Sequence, residues 1–266
     1  MQQTTYNRFR DVVYDATGIS LGPSKQALVA ARVGKCMRVL GITDYREYLA
    51  RVAADDTGVE LTRLVDAICT NVTSFFREED HFAFVRRVVS EQRAAGCRRF
   101  RIWSAACSTG EEVYSLAITL HDLASEDCDI RILGTDLSTK ALRAAQEGMY
   151  AASRLADVHP EIRRTWFTKH GSGERAAYSV KQELRDMVVF RKINLSRPPF
   201  ALNGPLDIVL CRNVMIYFDL PVRERLLAEI HRLLAPGGYL SLGHAESLSD
   251  RGNGFKAVQP STYVRC

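Results

Sequence analysis

The 266-residue sequence lacks several features that define large classes of proteins. It has no apolar run near the roughly 18 residues that a membrane-spanning helix needs, so direct membrane insertion is not expected. Residues 1–10 are polar and lack the apolar core of a secretory signal, which favours the cytoplasm. The seven cysteines include no CxxC pair and the six histidines form no HExxH pattern. We therefore expect free thiols and no metal site.

The sequence also lacks a large excess of charge of one sign. The 36 Lys and Arg against 31 Asp and Glu leave a net charge of +5. This excess is small for tight tracking of phosphates, so no nucleic-acid partner is expected, although an acidic protein partner is compatible with it. The GxGxxG fingerprint of dinucleotide-binding proteins is missing too, which counts against a nicotinamide-dependent dehydrogenase.

The first 95 residues or so show the periodicity of helices. Apolar residues recur every three to four positions in successive segments, the first around Phe9 and the last around Phe82. Pro23 is predicted to open the second helix and Gly41 to end it. Thr43 is predicted to cap the third helix. We expect residues 1–78 to form a helical N-terminal domain with its linker.

Short apolar runs begin to alternate with helices at about residue 99. The predicted strands are 100–103, 130–133, 188–190, 207–210 and 239–242, and the predicted helices between them are 110–124, 138–148 and 220–234. A closing antiparallel hairpin is predicted at 255–258 and 262–264. This order predicts an α/β fold with a Rossmann-like sheet over residues 79–266. The segment at 149–186 interrupts the alternation, and two short strands around a Gly-Ser-Gly turn predict an inserted β-subdomain there.

Ligands of such sheets bind at the carboxyl ends of the strands. The first strand is followed by small residues and then by Glu111 and Glu112 at a helix start. These acids would repel a phosphate, whereas they suit a ligand with a positive centre and an amino group, such as the sulfonium and ammonium of S-adenosylmethionine. The alternative is that the two glutamates only complement the helix dipole.

The second strand ends at Asp136, and the fourth strand runs into the polar residues Arg212 and Asn213. A carboxylate at the second strand end can accept hydrogen bonds from both hydroxyls of a ribose, or it can cap the following helix. Polar residues directly after a buried strand usually face a site. The pattern therefore indicates a ligand site at these strand ends.

Residues 71–78, 103–112, 134–136 and 211–219 together resemble the CheR-type methyltransferases that modify chemotaxis receptors. These motifs are long, lie in the family's order and extend the resemblance over nearly the whole chain. The resemblance implies S-adenosylmethionine as cofactor. It also implies methyl esterification of glutamate side chains on the cytoplasmic helices of chemoreceptors.

The resemblance further implies roles for individual residues. Residues implied to contact the cofactor are Asn71, Thr73, Arg77, Glu111, Asp136, Asn194, Leu195, Arg212 and Asn213. Arg77 and Tyr217 are implied to be catalytic, with Tyr217 near the transferred methyl. From the residue pattern alone, a surface salt bridge would be favoured for Arg77 and core packing for Tyr217.

Two surfaces are expected to bind the receptor. The second helix carries Lys25, Arg32, Lys35 and Arg38 on one side, which the resemblance makes a docking surface for an acidic receptor helix. From pattern alone a solvated face is favoured. The turn with Gly171 and Gly173 resembles that of relatives whose β-subdomain binds a C-terminal receptor peptide as an added strand. The alternative is a lid or a stabilising flap.

Two other functions remain open at this point. A nucleic-acid methyltransferase is suggested by the segment 197–200, Arg-Pro-Pro-Phe, although it precedes the fourth strand instead of following it. A non-catalytic cofactor-binding sensor would have lost the residues that face the methyl group. Arg77 and Tyr217 are both present, which ranks the sensor lower.

Overall fold

The computed structural model describes residues 1–173, 176–248 and 254–266. The N-terminal helices are α1 (Gln3–Thr17), α2 (Gln26–Val39), α3 (Tyr45–Ala53) and α4 (Val59–Ile68), followed by α5 (Asp80–Ala94). The first four pack around a core that includes Tyr6, Phe9, Val33, Tyr48 and Leu64. These residues lie on the apolar faces that the sequence predicts, so burial of one face per helix explains this domain.

The helix ends follow local chemistry, with one difference from the prediction. A 3₁₀ turn at Pro23–Lys25 precedes α2. The residue that caps α3 is Asp44 and not Thr43, because the Asp44 carboxylate accepts the Arg46 N–H at 2.8 Å. Carboxylate and hydroxyl caps are chemically alike, so the sequence located the helix start but assigned the cap one residue early.

The remaining elements alternate as expected. After β1 (Arg99–Ala105) the chain forms α6 (Glu111–Leu120), β2 (Asp129–Asp136), α7 (Thr139–Glu147), β3 (Met149–Ala151), α8 (Pro160–Trp166), β4 (Phe167–His170), β5 (Ala177–Val180), α9 (Gln182–Arg185), β6 (Val188–Lys192), β7 (Leu206–Cys211), α10 (Leu220–Leu233), β8 (Leu234–Leu242), β9 (Phe255–Gln259) and β10 (Thr262–Arg265). None of the helices in the described ranges is both long and apolar enough to cross a membrane.

The main sheet has the strand order β6-β2-β1-β7-β8-β10-β9 among the described residues. The first five strands are parallel, and β10 is antiparallel to both of its neighbours. Ala105 at the end of β1 pairs with Thr135 on one side and Cys211 on the other, so three strands end together. The predicted Rossmann-like sheet and closing hairpin are confirmed.

Strand β8 starts earlier than predicted. The segment Leu234–Leu242 is one strand, whereas the sequence predicts a helix up to residue 234 and a strand only from residue 239. The pairing with β7 shifts between Leu206 and Ile208, so the Pro-Gly-Gly segment is accommodated as an irregularity in the ladder. Proline and glycine are tolerated in such irregular positions, which is why they misled the prediction.

The inserted β-subdomain is a three-stranded antiparallel sheet of order β3-β5-β4. Strands β4 and β5 form the predicted hairpin, and α8 ends at Trp166 directly before β4. Strand β3 was not predicted, because it is only three residues long and follows α7 directly through Gly148, whose φ is +59°. A run this short carries no periodicity to recognise.

The end of α1 fastens the N-terminal helices to the sheet domain. The Tyr14 hydroxyl donates to Asp219 at 2.6 Å, and the Ser20 N–H donates to the Tyr217 carbonyl at 2.8 Å. Gly18 ends α1 at a φ of +72°, and a Cβ built there would lie 2.4 Å from the Cβ of Ser196. The two parts of the chain therefore meet in close backbone contact beside the strand ends.

Candidate cofactor and methyl-transfer site

A cavity of about 350 Å³ lies at the carboxyl ends of β1, β2 and β7. Its size is in the range of small-molecule sites, roughly 300–1,000 Å³. The sheet side is formed by the loops that follow the strands, and the opposite side by α2, the end of α1 and the linker 68–77. The cavity is thus built where the N-terminal helices meet the sheet.

Most of the residues implied by the resemblance come together here. Those that line the cavity are Asn71, Thr73, Arg77, Asp136, Asn194, Leu195, Arg212, Asn213 and Tyr217. Glu111 is the exception, and its acidic neighbour Glu112 lines the cavity in its place. Convergence from distant parts of the sequence is what a binding site requires, although the individual roles remain predictions.

Asp136 is held rigidly at the end of β2. Its carboxylate accepts the Ser108 N–H on one oxygen and the Ser138 N–H on the other, each at 2.8 Å. Burial raises the pKa of Asp136, while these backbone N–H groups oppose that shift. The cap of α7 is Ser138, whose hydroxyl accepts the Ala141 N–H. A carboxylate has about four acceptor positions, more than these N–H groups occupy, so Asp136 can also accept ligand hydroxyls.

The two adjacent glutamates at the start of α6 have different environments. Glu111 is fully buried, accepts the Thr109 hydroxyl at 2.6 Å and forms an ion pair with Arg154 at 2.9 Å. Burial raises the pKa of Glu111, and Arg154 partly opposes that shift. Glu112 accepts the Ser104 hydroxyl and pairs with Arg212, both at 2.7 Å. Adjacent residues of a helix point in different directions. Which of the two glutamates lines the cavity depends on how α6 packs, and the sequence alone does not report that packing.

Arg212 connects the linker to the sheet. Its side chain is 2% exposed and pairs with Glu78 at 2.9 Å and Glu112 at 2.7 Å. It also donates to the carbonyl of Arg77. Two carboxylates therefore balance one buried guanidinium, which fixes the linker against the end of β7. The role of Glu78 was not predicted, because its partner lies 134 positions away.

Backbone strain concentrates around the cavity. Phe76, Glu78, Ala106, Ser108 and Asn213 all have φ between +50° and +62°. Residues other than glycine rarely adopt this left-handed conformation, which costs of the order of 1 kcal/mol each. The surrounding structure holds them there, and such strain is typical of functional sites.

The two residues implied to be catalytic line the same cavity. Arg77 donates to the Val72 carbonyl at 3.2 Å, and its Nε lies 3.8 Å from Glu78, yet its side chain remains 39% exposed. Tyr217 ends the 3₁₀ turn Met215–Tyr217 that follows β7. Both side chains belong to strained, fixed backbone segments, so they can present polar groups at defined positions.

The basic residues of the second helix are not equivalent. Lys25, in the 3₁₀ turn before α2, and Arg32 line the cavity, whereas Lys35 and Arg38 are exposed outside it. Arg32 donates to the carbonyls of Ile68 and Cys69 and to the Thr70 hydroxyl. Its charge therefore holds the linker, while the exposed cations remain available to a partner.

The inserted β-subdomain also contacts the loop 106–110 between β1 and α6, which we call the cofactor loop. Tyr150 donates to the Thr109 carbonyl at 2.8 Å, and Arg154 donates to the Thr73 carbonyl at 3.2 Å. The turn with Gly171 and Gly173 is exposed and does not line the cavity. The subdomain thus has one end against the site and one end in solvent.

A group of potential metal ligands lies behind Arg212. Atoms of Glu78, His81 and His244 come within 4.8 Å of one another. The Glu78 carboxylate is already paired with Arg212, and a metal cation would be repelled by that guanidinium. Burial and Arg212 lower the pKa of His81 to about 4, so its imidazole is neutral near pH 7. We assign no metal to this group.

Comparison with known proteins agrees with this geometry. Residues 4–69 match the family described as "CheR methyltransferase, all-alpha domain", and residues 71–264 match "CheR methyltransferase, SAM binding domain". The chain is 38% identical over 260 residues to chemotaxis protein methyltransferase 2 of Pseudomonas aeruginosa, covering 97% of this chain and 91% of that protein. It is 36% identical over 251 residues to chemotaxis protein methyltransferase of Klebsiella aerogenes, covering 94% and 85%.

A solved structure of magnesium protoporphyrin IX methyltransferase from Synechocystis with bound S-adenosylmethionine is 18% identical, with a TM-score of 0.38 and coverage of 83% of this chain and 90% of that one. This likeness is too low to bear on function. The two family matches and the curated relatives do not depend on it. They show that the chain belongs to the CheR methyltransferase family and uses S-adenosylmethionine as its cofactor.

Proposed function

We propose that this methyltransferase esterifies glutamate γ-carboxylates on the cytoplasmic helices of chemoreceptors. Its relatives are named chemotaxis protein methyltransferases, which favours a receptor substrate. The observation that supports this proposal most directly is that Arg77 and Tyr217 line the same cavity, which lies between a basic helix and the strand ends. An anionic side chain that enters there encounters a partly exposed guanidinium and a phenol.

The cavity suits a carboxylate nucleophile. Among the described residues that line it there is no histidine, and so no Asp-His pair for proton abstraction. A glutamate has a reference pKa of about 4.3 and is already ionised near pH 7, so it needs no general base. An amine or a ribose hydroxyl would need its proton removed. The residues present therefore favour ester formation over nucleic-acid methylation.

The donor groups fit S-adenosylmethionine, which supplies an electrophilic methyl group on its sulfonium. We assign Asp136 to the ribose hydroxyls and Asn194 with Leu195 to the adenine. The start of α6, with Glu111 and Glu112, is assigned to the methionyl end of the ligand, and Glu112 is the one of the two that lines the cavity. Asn71 and Thr73 in the linker cover the ligand.

Arg77 and Tyr217 are assigned to the transfer itself. Arg77 holds one carboxylate oxygen while the other oxygen points at the methyl group. Its side chain is 39% exposed, so water weakens its hold on the carboxylate. A tighter ion pair would stabilise the ground state more than the transition state. The main contribution of the site is orientation and removal of water.

The domain division that we propose is 1–78 and 79–266, with residues 149–186 as the inserted β-subdomain. We assign Lys25, Lys35 and Arg38 to docking of the acidic receptor helix, and Arg32 to support of the linker. The edge strand β4 and the turn with Gly171 and Gly173 are assigned to a C-terminal receptor peptide, bound as an added strand. Such tethering raises the effective concentration of receptor glutamates.

A labelled-methyl assay tests the proposed function. The protein is incubated with S-[methyl-³H]adenosylmethionine and either receptor cytoplasmic fragments or total RNA from the same cell. We expect label in the receptor that is released as methanol by mild base, as an ester requires. Base-stable label in receptor, or label in RNA alone, would contradict the proposal.

A further inference from the structure

Glu246 occupies an unusual position behind the cavity. Its side chain is 7% exposed and follows the end of β8. One carboxylate oxygen accepts the N–H groups of Asn213 at 2.7 Å and Gly243 at 2.8 Å. The other accepts those of Val214 at 3.1 Å and Ile216 at 3.3 Å. Four backbone donors thus converge on one anion that does not itself line the cavity.

Three of these four N–H groups belong to the turn after β7, which carries Tyr217. Asn213 and Val214 line the cavity, and the 3₁₀ turn that contains Ile216 ends at Tyr217. Asn213 has a φ of +57°, so the turn is strained near its start. Converging N–H groups repel one another unless an acceptor lies between them. A carboxylate satisfies four donors because it has two oxygens and no proton to donate.

Close packing joins the ends of β7 and β8 at the same point. A Cβ built on Gly243 would lie 2.4 Å from Nδ2 of Asn213. The Glu246 N–H donates to the Gly243 carbonyl at 2.8 Å, which closes the loop that carries the carboxylate. The turn after β7 therefore has no room to relax toward β8. Within the turn, this one side chain accepts three backbone N–H groups.

We propose that Glu246 is a positioning residue for methyl transfer, which holds the turn 212–217 so that Asn213 and Tyr217 face the cavity. The proposal rests on the proposed function in one respect, the placement of Tyr217 near the transferred methyl. The carboxylate does not contact the reacting atoms. It acts through the backbone of the turn.

The test compares Glu246→Gln with a matched control, Glu229→Gln. Glutamine keeps the shape of glutamate but turns one oxygen into a donor, so two of the four N–H groups lose their acceptor. Glu229 is 6% exposed on α10, where it accepts the Phe200 N–H and pairs with Arg232, away from the cavity. Both variants lose a buried carboxylate that accepts backbone N–H groups.

We expect Glu246→Gln to lower kcat for receptor methylation by about tenfold or more, with a smaller change in the Kd for S-adenosylhomocysteine. The rates are normalised to the amount of protein that binds S-adenosylhomocysteine. Glu229→Gln should keep the wild-type kcat on this basis, and Glu246→Asp, which retains both oxygens, should recover part of the rate. Wild-type kcat in Glu246→Gln, or equal losses in the two Gln variants, would overturn the proposal.

A second measurement is independent of activity. In protein labelled with 3-fluorotyrosine, the ¹⁹F resonance of Tyr217 is assigned from its absence in Tyr217→Phe. We expect this resonance to shift or broaden in Glu246→Gln and to stay unchanged in Glu229→Gln. If the wild-type protein fails to methylate receptor, the proposed function fails, while the resonance still tests Glu246. An unchanged Tyr217 resonance in Glu246→Gln would show that the turn does not depend on this carboxylate.

Discussion

The charged residues around the cavity differ in how much of their hydrogen-bonding capacity is already used within the protein. Arg32 and Arg212 donate to the protein itself, whereas Lys25 and Arg77 keep exposed charge beside the same cavity. Substitution of the first pair removes structural contacts, while substitution of the second pair acts on a ligand. The predictions for single residues follow from this difference.

Asp136→Ala is expected to weaken binding of S-adenosylhomocysteine by about 10- to 100-fold, because two buried hydroxyls lose their acceptor at about 1–3 kcal/mol. Titration calorimetry measures the affinity. Asp129→Ala, at the other end of β2, is the control and should bind normally. Equal affinity in the Asp136 variant and the control would remove the ribose assignment.

Arg77→Ala is expected to lower kcat by about 10- to 100-fold and to change cofactor affinity less, since its charge orients the attacking carboxylate. Steady-state methylation and calorimetry are measured on the same preparations. Arg86→Ala on α5 removes a comparable exposed arginine, paired with Asp122, and should leave both values unchanged. Parallel losses of turnover and affinity would make Arg77 a binding residue only.

His81 is expected to make stability depend on pH. Burial and Arg212 hold its pKa at about 4, below the unfolded value of 6.5. As pH falls from about 6.5 toward 4, the unfolded chain binds a proton that the folded chain does not. Stability present above pH 6.5 is therefore lost on acidification, by about 3 kcal/mol at most.

Urea unfolding from pH 7.5 to 4.5 tests this. The wild type should lose stability more steeply than His81→Phe, and the same substitution at the exposed His170 should not flatten the profile. Parallel pH profiles for the wild type and His81→Phe would contradict the assignment of this loss to His81.

The sequence predicted many of the residues that line the cavity, but not the contacts between them. Asp136 and Asn213 were found because they follow buried strands, a signal that is local in the chain. Glu112 was not separated from Glu111, because the rotation of one residue around α6 is set by packing. Glu246 and Arg154 had no signal at all, since their partners are distant in sequence and are mostly backbone groups.

At the level of elements, the inserted β-subdomain does more than extend into solvent. Arg154 lies in the 3₁₀ turn Ala152–Leu155 and contacts the linker, the cofactor loop and buried Glu111 at once. The sequence suggested attachment as the use of this insert, because its turn and hairpin were the recognisable parts. Its contacts with the site came from residues between the recognisable strands.

Arg154→Ala is expected to weaken S-adenosylhomocysteine binding by about 3- to 30-fold, because it leaves the Glu111 charge buried without its cation. The control is Arg163→Ala on α8, which removes an arginine lying over the Tyr178 ring in the same subdomain. Calorimetry on both variants, with thermal midpoints as a folding check, separates the outcomes. Unchanged affinity in Arg154→Ala would mean that the subdomain does not support the cofactor loop.

At the scale of the whole molecule, the main feature is one cavity that the N-terminal helices and the sheet domain form together. The strand ends supply most of the residues that we assign to the cofactor, and α2 supplies exposed cations near the cavity. The sequence predicted both parts, because helical periodicity and strand alternation differ clearly. Their mutual placement depends on side chains of α1 that meet residues about 200 positions away, which periodicity does not report.

Charge reversal at Lys35 and Arg38 is expected to raise the receptor KM about 3- to 30-fold at low ionic strength and to leave cofactor affinity unchanged. The effect should shrink with added salt, because exposed charges are screened. Arg51→Glu, an exposed charge on α3, is the control. A receptor KM that is insensitive to the double reversal would mean that this face of α2 is only solvated.

The contact between Gly18 and Ser196 has a consequence for how such a protein can change over generations. A side chain at position 18 would overlap position 196, which lies in the other half of the chain. A recombination event that exchanged the N-terminal helices between two lineages would preserve the fold only where both parents have compatible residues at positions 18 and 196. We therefore expect exchanged halves to need a matched pair at positions 18 and 196, although each half has its own hydrophobic core.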